Sequence, residues 1–196
     1  MTMLRSQLRP AILVTLVLMV ITGLIYPGVV TALAQLLFPR AANGSLITAQ
    51  GRVIGSELIG QPFARAEYFH PRPSAAGAGY DDTLSTGSNK GPTDLKLADT
   101  LIAQAVDSAV KLDGAVRGRV PADLVTRSGS GLDPHISPAS ALLQVPRVAR
   151  ARGLDSATVR ALVDRHIEGR TLGFLGEPRV NVLLLNLALD SLRRTP

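Results

Sequence analysis

The chain has 196 residues, 46% apolar but only 4% aromatic and without Trp, so its length suits one domain with a core of Leu, Val, Ile and Ala. The absence of cysteine excludes disulfides, thiolate metal sites, iron–sulfur clusters and a cysteine nucleophile, and leaves the compartment to be read from other features. The net charge is +6, of which Arg5 and Arg9 supply two units ahead of the first apolar run. The later cluster Arg147, Arg150, Arg152, Arg160, Arg165 and Arg170 is interleaved with Asp155, Asp164 and Glu168 but with no aromatics, so it reads as a solvated helical face and not as a nucleic-acid interface.

From Ala11 to Phe38 the chain reads AILVTLVLMVITGLIYPGVVTALAQLLF, twenty-eight residues without a charge between Pro10 and Pro39. Such a run predicts a transmembrane helix and exceeds the ~7–15-residue apolar region of a cleaved signal peptide. At about 1.5 Å per residue it spans roughly 42 Å against a hydrocarbon core of about 30 Å, so it must tilt, kink or extend past the core. Pro27, which removes one helical hydrogen bond, and Gly28 beside it offer the kink, and Tyr26 suits an interfacial belt. The span is expected from about Ile12 to about Leu33, with Ile12, Leu16, Val20, Leu24, Pro27 and Leu33 as membrane-embedded positions. Arg5 and Arg9 favour the N-terminus inside. That divides the chain into a cytoplasmic segment 1–10, a transmembrane helix 11–38 and an outer, periplasmic domain 39–196.

Beyond the anchor, LITAQGRVIGSELIGQPF predicts short strands punctuated by Gly51 and Gly55, and the Gly/Pro/Ser-rich stretch from His70 to Thr93 predicts a long loop. Within it, Gly87 to Thr93 lacks the terminal Gly-Lys-Ser/Thr of a phosphate loop and reads as a turn. Leu97, Ala98, Leu101, Ile102, Ala105, Val106, Ala109 and Val110 follow a 3.6 period and predict a helix from Thr93 to Leu112 with Thr93 as its cap. Ser137 with Pro138 opens another helix, which Pro146 should bend or interrupt. A third helix is expected from Ser156 to Glu168, a strand edge at Val180 to Val182, and a last helix from Leu183 to Leu192. The class is α+β: one N-terminal transmembrane helix followed by a single compact soluble domain.

The stretch SGSGLDPHISPASA from Ser128 to Ala141 contains the residue types of an acyl-transfer site, Ser130, Asp133 and His135. It lacks a G-x-S-x-G elbow, and Pro134 separates Asp133 from His135 in an extended dipeptide with no evident route to Ser130. The three histidines His70, His135 and His166 show no metal-binding pairing. An anion nest at Ser128 to Gly131 and a simple turn-plus-cap at Ser137 remain as readings of the same residues, the second accounting for more of them.

Several separated segments carry a resemblance: GSELIGQPF with YFHPRPSA, then TGSNKGPT, then VPADLVTRSGSGLDPHISPASALLQVPRVARARGL, and finally GFLGEPRVNVLLLNLALDSL. With the anchor before them, they resemble the KdpC family, the C subunit of Kdp potassium-transporting P-type ATPases, over nearly the whole chain. Lys90, where the family more usually has an apolar residue, and Asp94, where it tends to have Asn, depart from its pattern. The resemblance implies a bacterial inner-membrane complex in which an A subunit carries the potassium path, a B subunit hydrolyses ATP and a small membrane subunit completes the set. It implies a non-catalytic accessory role in assembly, and a proposed catalytic-chaperone effect on ATP use. ATP and potassium would then be handled by partner subunits, with no cofactor held directly, and a periplasmic domain would affect ATP use allosterically. Under this reading Ser128, Ser130, Asp133, His135 and Ser137 form a candidate partner-docking loop. The alternatives are a membrane-anchored periplasmic hydrolase using Ser130, Asp133 and His135, and a nucleotide-binding regulator.

Overall fold

The structure, a computed structural model, describes residues 2–192, with side chains from Ser6 onward. Met1, residues 193–196 and the side chain of Arg5 lie outside the described residues. The chain divides into two units, one up to Leu46 and one from Ile47 onward.

The first unit is helical almost throughout. Helix α1 runs Thr2–Val20, a π-helical turn covers Ile21–Ile25, α2 runs Tyr26–Leu37 and a single turn α3 follows at Pro39–Ala42. Residues Ser6–Leu37 form one apolar span of 32 residues, roughly 48 Å long at ~1.5 Å per residue and so longer than a hydrocarbon core. Two features of this helix differ from the sequence expectation. Pro10 does not start it but lies inside α1. Pro27, expected to supply a kink, is the second residue of α2 and follows the π turn by one residue, and the wider bore of that turn relieves the clash between a proline ring and the carbonyl one turn back.

A hairpin follows, β1 (Leu46–Ala49) and β2 (Arg52–Ser56), which belongs to the second unit from Ile47 onward. Its two-residue connection, Gln50 and Gly51, has φ of 52° and 74°, the paired left-handed conformation that matches the twist of a tight hairpin. A three-stranded antiparallel sheet follows in the order β3-β5-β4, from β3 (His135–Ile136), β4 (Ile167–Glu168) and β5 (Arg179–Asn181). His135 stands opposite Asn181, and Ile167 opposite Val180. Helices α5 (Pro138–Arg152), α6 (Ser156–Arg165) and α7 (Val182–Ser191) cover it, and their inward residues Val145, Val148, Val159, Val163, Leu185 and Leu189 meet Ile136 and Val180 in one core.

Helix α4 (Ala103–Asp113) is preceded by a π-helical stretch, Lys96–Ile102. The carboxylate of Asp94, not Thr93, accepts the Leu97 N–H at 3.0 Å and caps this helix. Lys90 Nζ donates to the same Asp94 carboxylate at 2.7 Å. Ser137 caps α5 through the Ser140 N–H, and α5 continues through Pro146 without interruption. The third helix stops at Arg165, because Ile167 and Glu168 leave it to pair with β5. That strand is the middle of its sheet and not an edge.

The segment 62–74 has no regular structure, and its backbone polar groups need partners from elsewhere. Side chains of α5 and α7 supply them in succession. Arg147 donates to the carbonyls of Ala66 and Tyr68 at 2.6 and 2.9 Å, and Arg152 to that of Glu67 at 2.7 Å. Asn186 brackets Phe69, accepting its N–H at 2.9 Å and donating to its carbonyl at 3.0 Å. Gln144 does the same for His70 at 2.7 and 3.1 Å. Two amide side chains thus act as substitute strand partners, and Phe69 is fully buried. The arginine cluster is therefore not one solvated face: Arg147 and Arg152 are buried, while Arg150, Arg160, Arg165 and Arg170 are exposed.

Candidate functional site

The loop from Ser128 to Ser137 forms where four separate segments converge. The Ser130 carbonyl accepts the Thr86 N–H at 3.0 Å and the Ser85 hydroxyl at 3.1 Å. The Gly131 carbonyl accepts the Ser74 hydroxyl at 2.6 Å. The Leu132 carbonyl accepts the Gly60 N–H at 2.8 Å, and the Pro134 carbonyl the Val182 N–H at 3.0 Å. Gly131 is required at the tightest point: its φ is +69°, and a Cβ there would lie 2.6 Å from the Thr86 carbonyl oxygen and 2.7 Å from the Ala76 nitrogen.

Within this frame the candidate residues are occupied locally. Ser128 Oγ accepts the Gly131 N–H at 2.9 Å, and Ser130 Oγ the Leu132 N–H at 3.1 Å, both bending the chain as side-chain turns. Asp133 accepts the His135 N–H at 3.0 Å with one oxygen and Arg72 Nη1 at 2.9 Å with the other. Ser137 receives support from Asp123, whose carboxylate accepts its N–H at 2.7 Å, its hydroxyl at 2.9 Å and the Ser140 hydroxyl at 2.7 Å. The structure brings Asp133 and His135 together, with Nδ1 to carboxylate oxygen at 3.4 Å, and sets Glu168 4.0 Å from His135 Nε2. It does not bring Ser130 to either of them by a hydrogen bond.

Burial pushes the Asp133 carboxyl up, but the His135 side chain and amide and the Arg72 guanidinium together outweigh this and hold it at about 2. Burial raises the nearby Tyr80 hydroxyl, and the Asp133 charge raises it further. Tyr80 donates to the Arg72 carbonyl at 2.7 Å. Asp133 is therefore an ion-paired carboxylate that orients Arg72 and His135, far from the range of a general base at neutral pH.

A concavity of about 520 Å³ lies between the 62–80 segment and the helix that begins at Lys96, walled by Pro62, Pro71, Pro73, Tyr80, Leu97 and Leu101. Two of its polar lining residues are spent internally: Gln144 brackets His70, and His70 Nε2 lies 3.0 Å from the Arg65 carbonyl. Burial lowers the His70 pKa first, with the Arg147 charge adding to it. Among the described residues there is no group of three or more His, Asp or Glu side chains able to hold a metal ion.

Ile12, Leu16 and Val20 lie on α1, Leu24 in the π turn, and Pro27 and Leu33 on α2, all exposed on the helical surface. The residues that sequence reasoning missed are Gln144, Arg147, Arg152 and Asn186. A signal for three of them was present, because Gln144, Arg147 and Arg152 interleave with the apolar stripe of Ala141, Val145, Val148 and Ala149 on α5.

The family model described as "KdpC: K+-transporting ATPase, c chain" matches residues 8–191. A Gemmatimonas aurantiaca protein named "Potassium-transporting ATPase KdpC subunit" is 66% identical over 191 residues, covering 97% of this chain and 95% of its own. Proteins of the same name from Myxococcus xanthus and Methylococcus capsulatus are 60% and 57% identical over 186 and 189 residues. These cover 94% and 96% of this chain, and 88% and 99% of their own. From the anchor helix to the end of α7, the chain belongs to the KdpC family of K+-transporting ATPase c chains.

Proposed function

We propose that this chain is a non-catalytic accessory subunit of an ATP-driven potassium-uptake complex of the bacterial inner membrane. Its helix anchors it with the N-terminus in the cytoplasm, and its second unit works on the periplasmic side. There it supports assembly with the potassium-path subunit, the ATP-hydrolysing subunit and the small membrane subunit. It binds neither ATP nor potassium itself, and any influence on ATP use passes through the membrane as a coupling between subunits. Membership of the KdpC family, with relatives named as potassium-transporting ATPase subunits, carries this reading. The geometry of the 128–137 loop supports it, since Ser128, Ser130, Asp133 and Ser137 all use their side chains to hold the chain in shape.

The experiment compares the purified complex with and without this chain, measuring subunit stoichiometry and potassium-stimulated ATP hydrolysis. Loss of either on deletion is expected, and unchanged activity without the chain refutes the role. Ser130→Ala and His135→Ala should leave that activity at the wild-type level, which a hydrolase using Ser130, Asp133 and His135 could not tolerate. The chain has no native cysteine, so Lys90→Cys gives a single site for a membrane-impermeant thiol label. Labelling from the outside of intact spheroplasts is expected, and labelling only from the cytoplasmic side refutes the orientation.

A further inference from the structure

The π turn lies at the centre of the apolar span, with Thr22 the first residue of the second half of the 32 residues Ser6–Leu37. In an α-helix the Thr22 carbonyl would accept the Tyr26 N–H, and the Gly23 carbonyl the N–H of residue 27. Here the Tyr26 N–H donates to the Ile21 carbonyl instead, and residue 27 is proline, which has no N–H. The next amide, that of Gly28, can serve only one of the carbonyls left over, so at least one of the Thr22 and Gly23 carbonyls lacks a helical donor. The Thr22 hydroxyl does not make up the loss, because it donates to the Leu18 carbonyl at 2.7 Å. At the middle of a bilayer neither lipid tails nor bulk water can supply the donor, and an unsatisfied carbonyl there costs several kcal/mol. The spot is open to approach, with nothing within 4 Å of a Cβ built on Gly23.

We infer that the Thr22–Gly23 carbonyls are a docking point for a neighbouring membrane helix of another subunit of the ATPase, one that places a hydroxyl or amide side chain against them. The argument is one of complementarity: an acceptor without a donor in hydrocarbon, beside a gap that admits close backbone approach, matches a donor side chain on a packed helix. The inference rests on the accessory-subunit reading and locates where on the anchor that association is made.

The test uses the complete complex carrying Gly23→Leu, with Gly28→Leu as the matched control. Gly28 is equally open and lies roughly 140° around the helix from Gly23. A third variant, Pro27→Ala, restores the missing amide and gives the carbonyl a donor within its own helix. Membrane insertion of each variant, measured as the fraction resisting alkaline extraction, should equal wild type. Retention of the chain on the complex through detergent washing should fall about fivefold for Gly23→Leu and about threefold for Pro27→Ala, and stay within about twofold for Gly28→Leu. Wild-type retention in Gly23→Leu, or equal loss in both leucine variants, overturns the docking point. A wild-type chain that fails to co-purify at all refutes the subunit reading itself, which is a different result from selective loss at Gly23.

Discussion

Arg147→Met tests whether the irregular 62–74 segment is held by helix side chains. Arg147 is buried and paired with Asp113 at 2.6 Å, both side chains being 7% exposed, and its other nitrogens serve the Ala66 and Tyr68 carbonyls and Gln144 Oε1. Met keeps most of the volume but removes the charge and every donor. Breaking a buried pair from one side costs about 3–5 kcal/mol, since the partner stays behind uncompensated. Each orphaned carbonyl adds about 1 kcal/mol or more where water does not reach it. A loss of about 4 kcal/mol is a large share of the ~5–15 kcal/mol stability of a domain.

The assay is urea unfolding of the full chain in detergent micelles, followed by far-UV circular dichroism, with the midpoint expected to fall at unchanged slope. Asp113→Asn in the same background should recover about 2 kcal/mol, because the neutral amide no longer needs a counter-charge. Arg150→Met, an exposed position on the same helix, should stay within about 0.5 kcal/mol of wild type. A loss below about 1 kcal/mol for Arg147→Met, or no coupling to Asp113, refutes the proposed support of the segment.

Gly131→Ala should destabilise the domain by about 2 kcal/mol or more, combining a positive φ with a Cβ too close to Thr86 and Ala76; a wild-type urea midpoint refutes the close approach. Asp133 is held at about 2, below the ordinary 3.8 of an unfolded aspartate, so the folded state binds its proton less readily. Its contribution, discounted for partial exposure to about 1 kcal/mol, is present above pH ~4 and lost as pH falls from ~4 towards ~2. Stability against pH should therefore be flatter over that interval in Asp133→Asn than in wild type, and parallel profiles refute the assignment. Asp94→Ala should lower the urea midpoint by removing a helix cap, and Thr93→Ala should lower it much less; the reverse order would restore Thr93 as the cap.

The sequence alone determined what depends on local chemistry or on sheer length. Twenty-eight uncharged residues leave little choice but a helix of membrane length, Ser137–Pro138 is a self-sufficient helix start, and Gly51 marks a break between two short apolar runs. It also excluded a conventional serine hydrolase elbow by spacing. Tertiary structure decided whatever required a distant partner. Ile167–Glu168 continues an amphipathic pattern and becomes a strand only because Arg179–Val180 lies alongside. Thr93 and Asp94 are both acceptable caps, and the choice falls to Asp94, which Lys90 also holds. Arg147 and Arg152 looked like solvated charges because a sequence does not display the carbonyls of residues 66–68, which have no ladder of their own and must be met by donors from α5. The same holds for SGSGLDPHISPASA, whose side chains suggested chemistry until the four segments bonded to its backbone showed what they hold in place. Local bonding rules can be read along a chain, whereas the satisfaction of buried polar groups is a property of the whole fold.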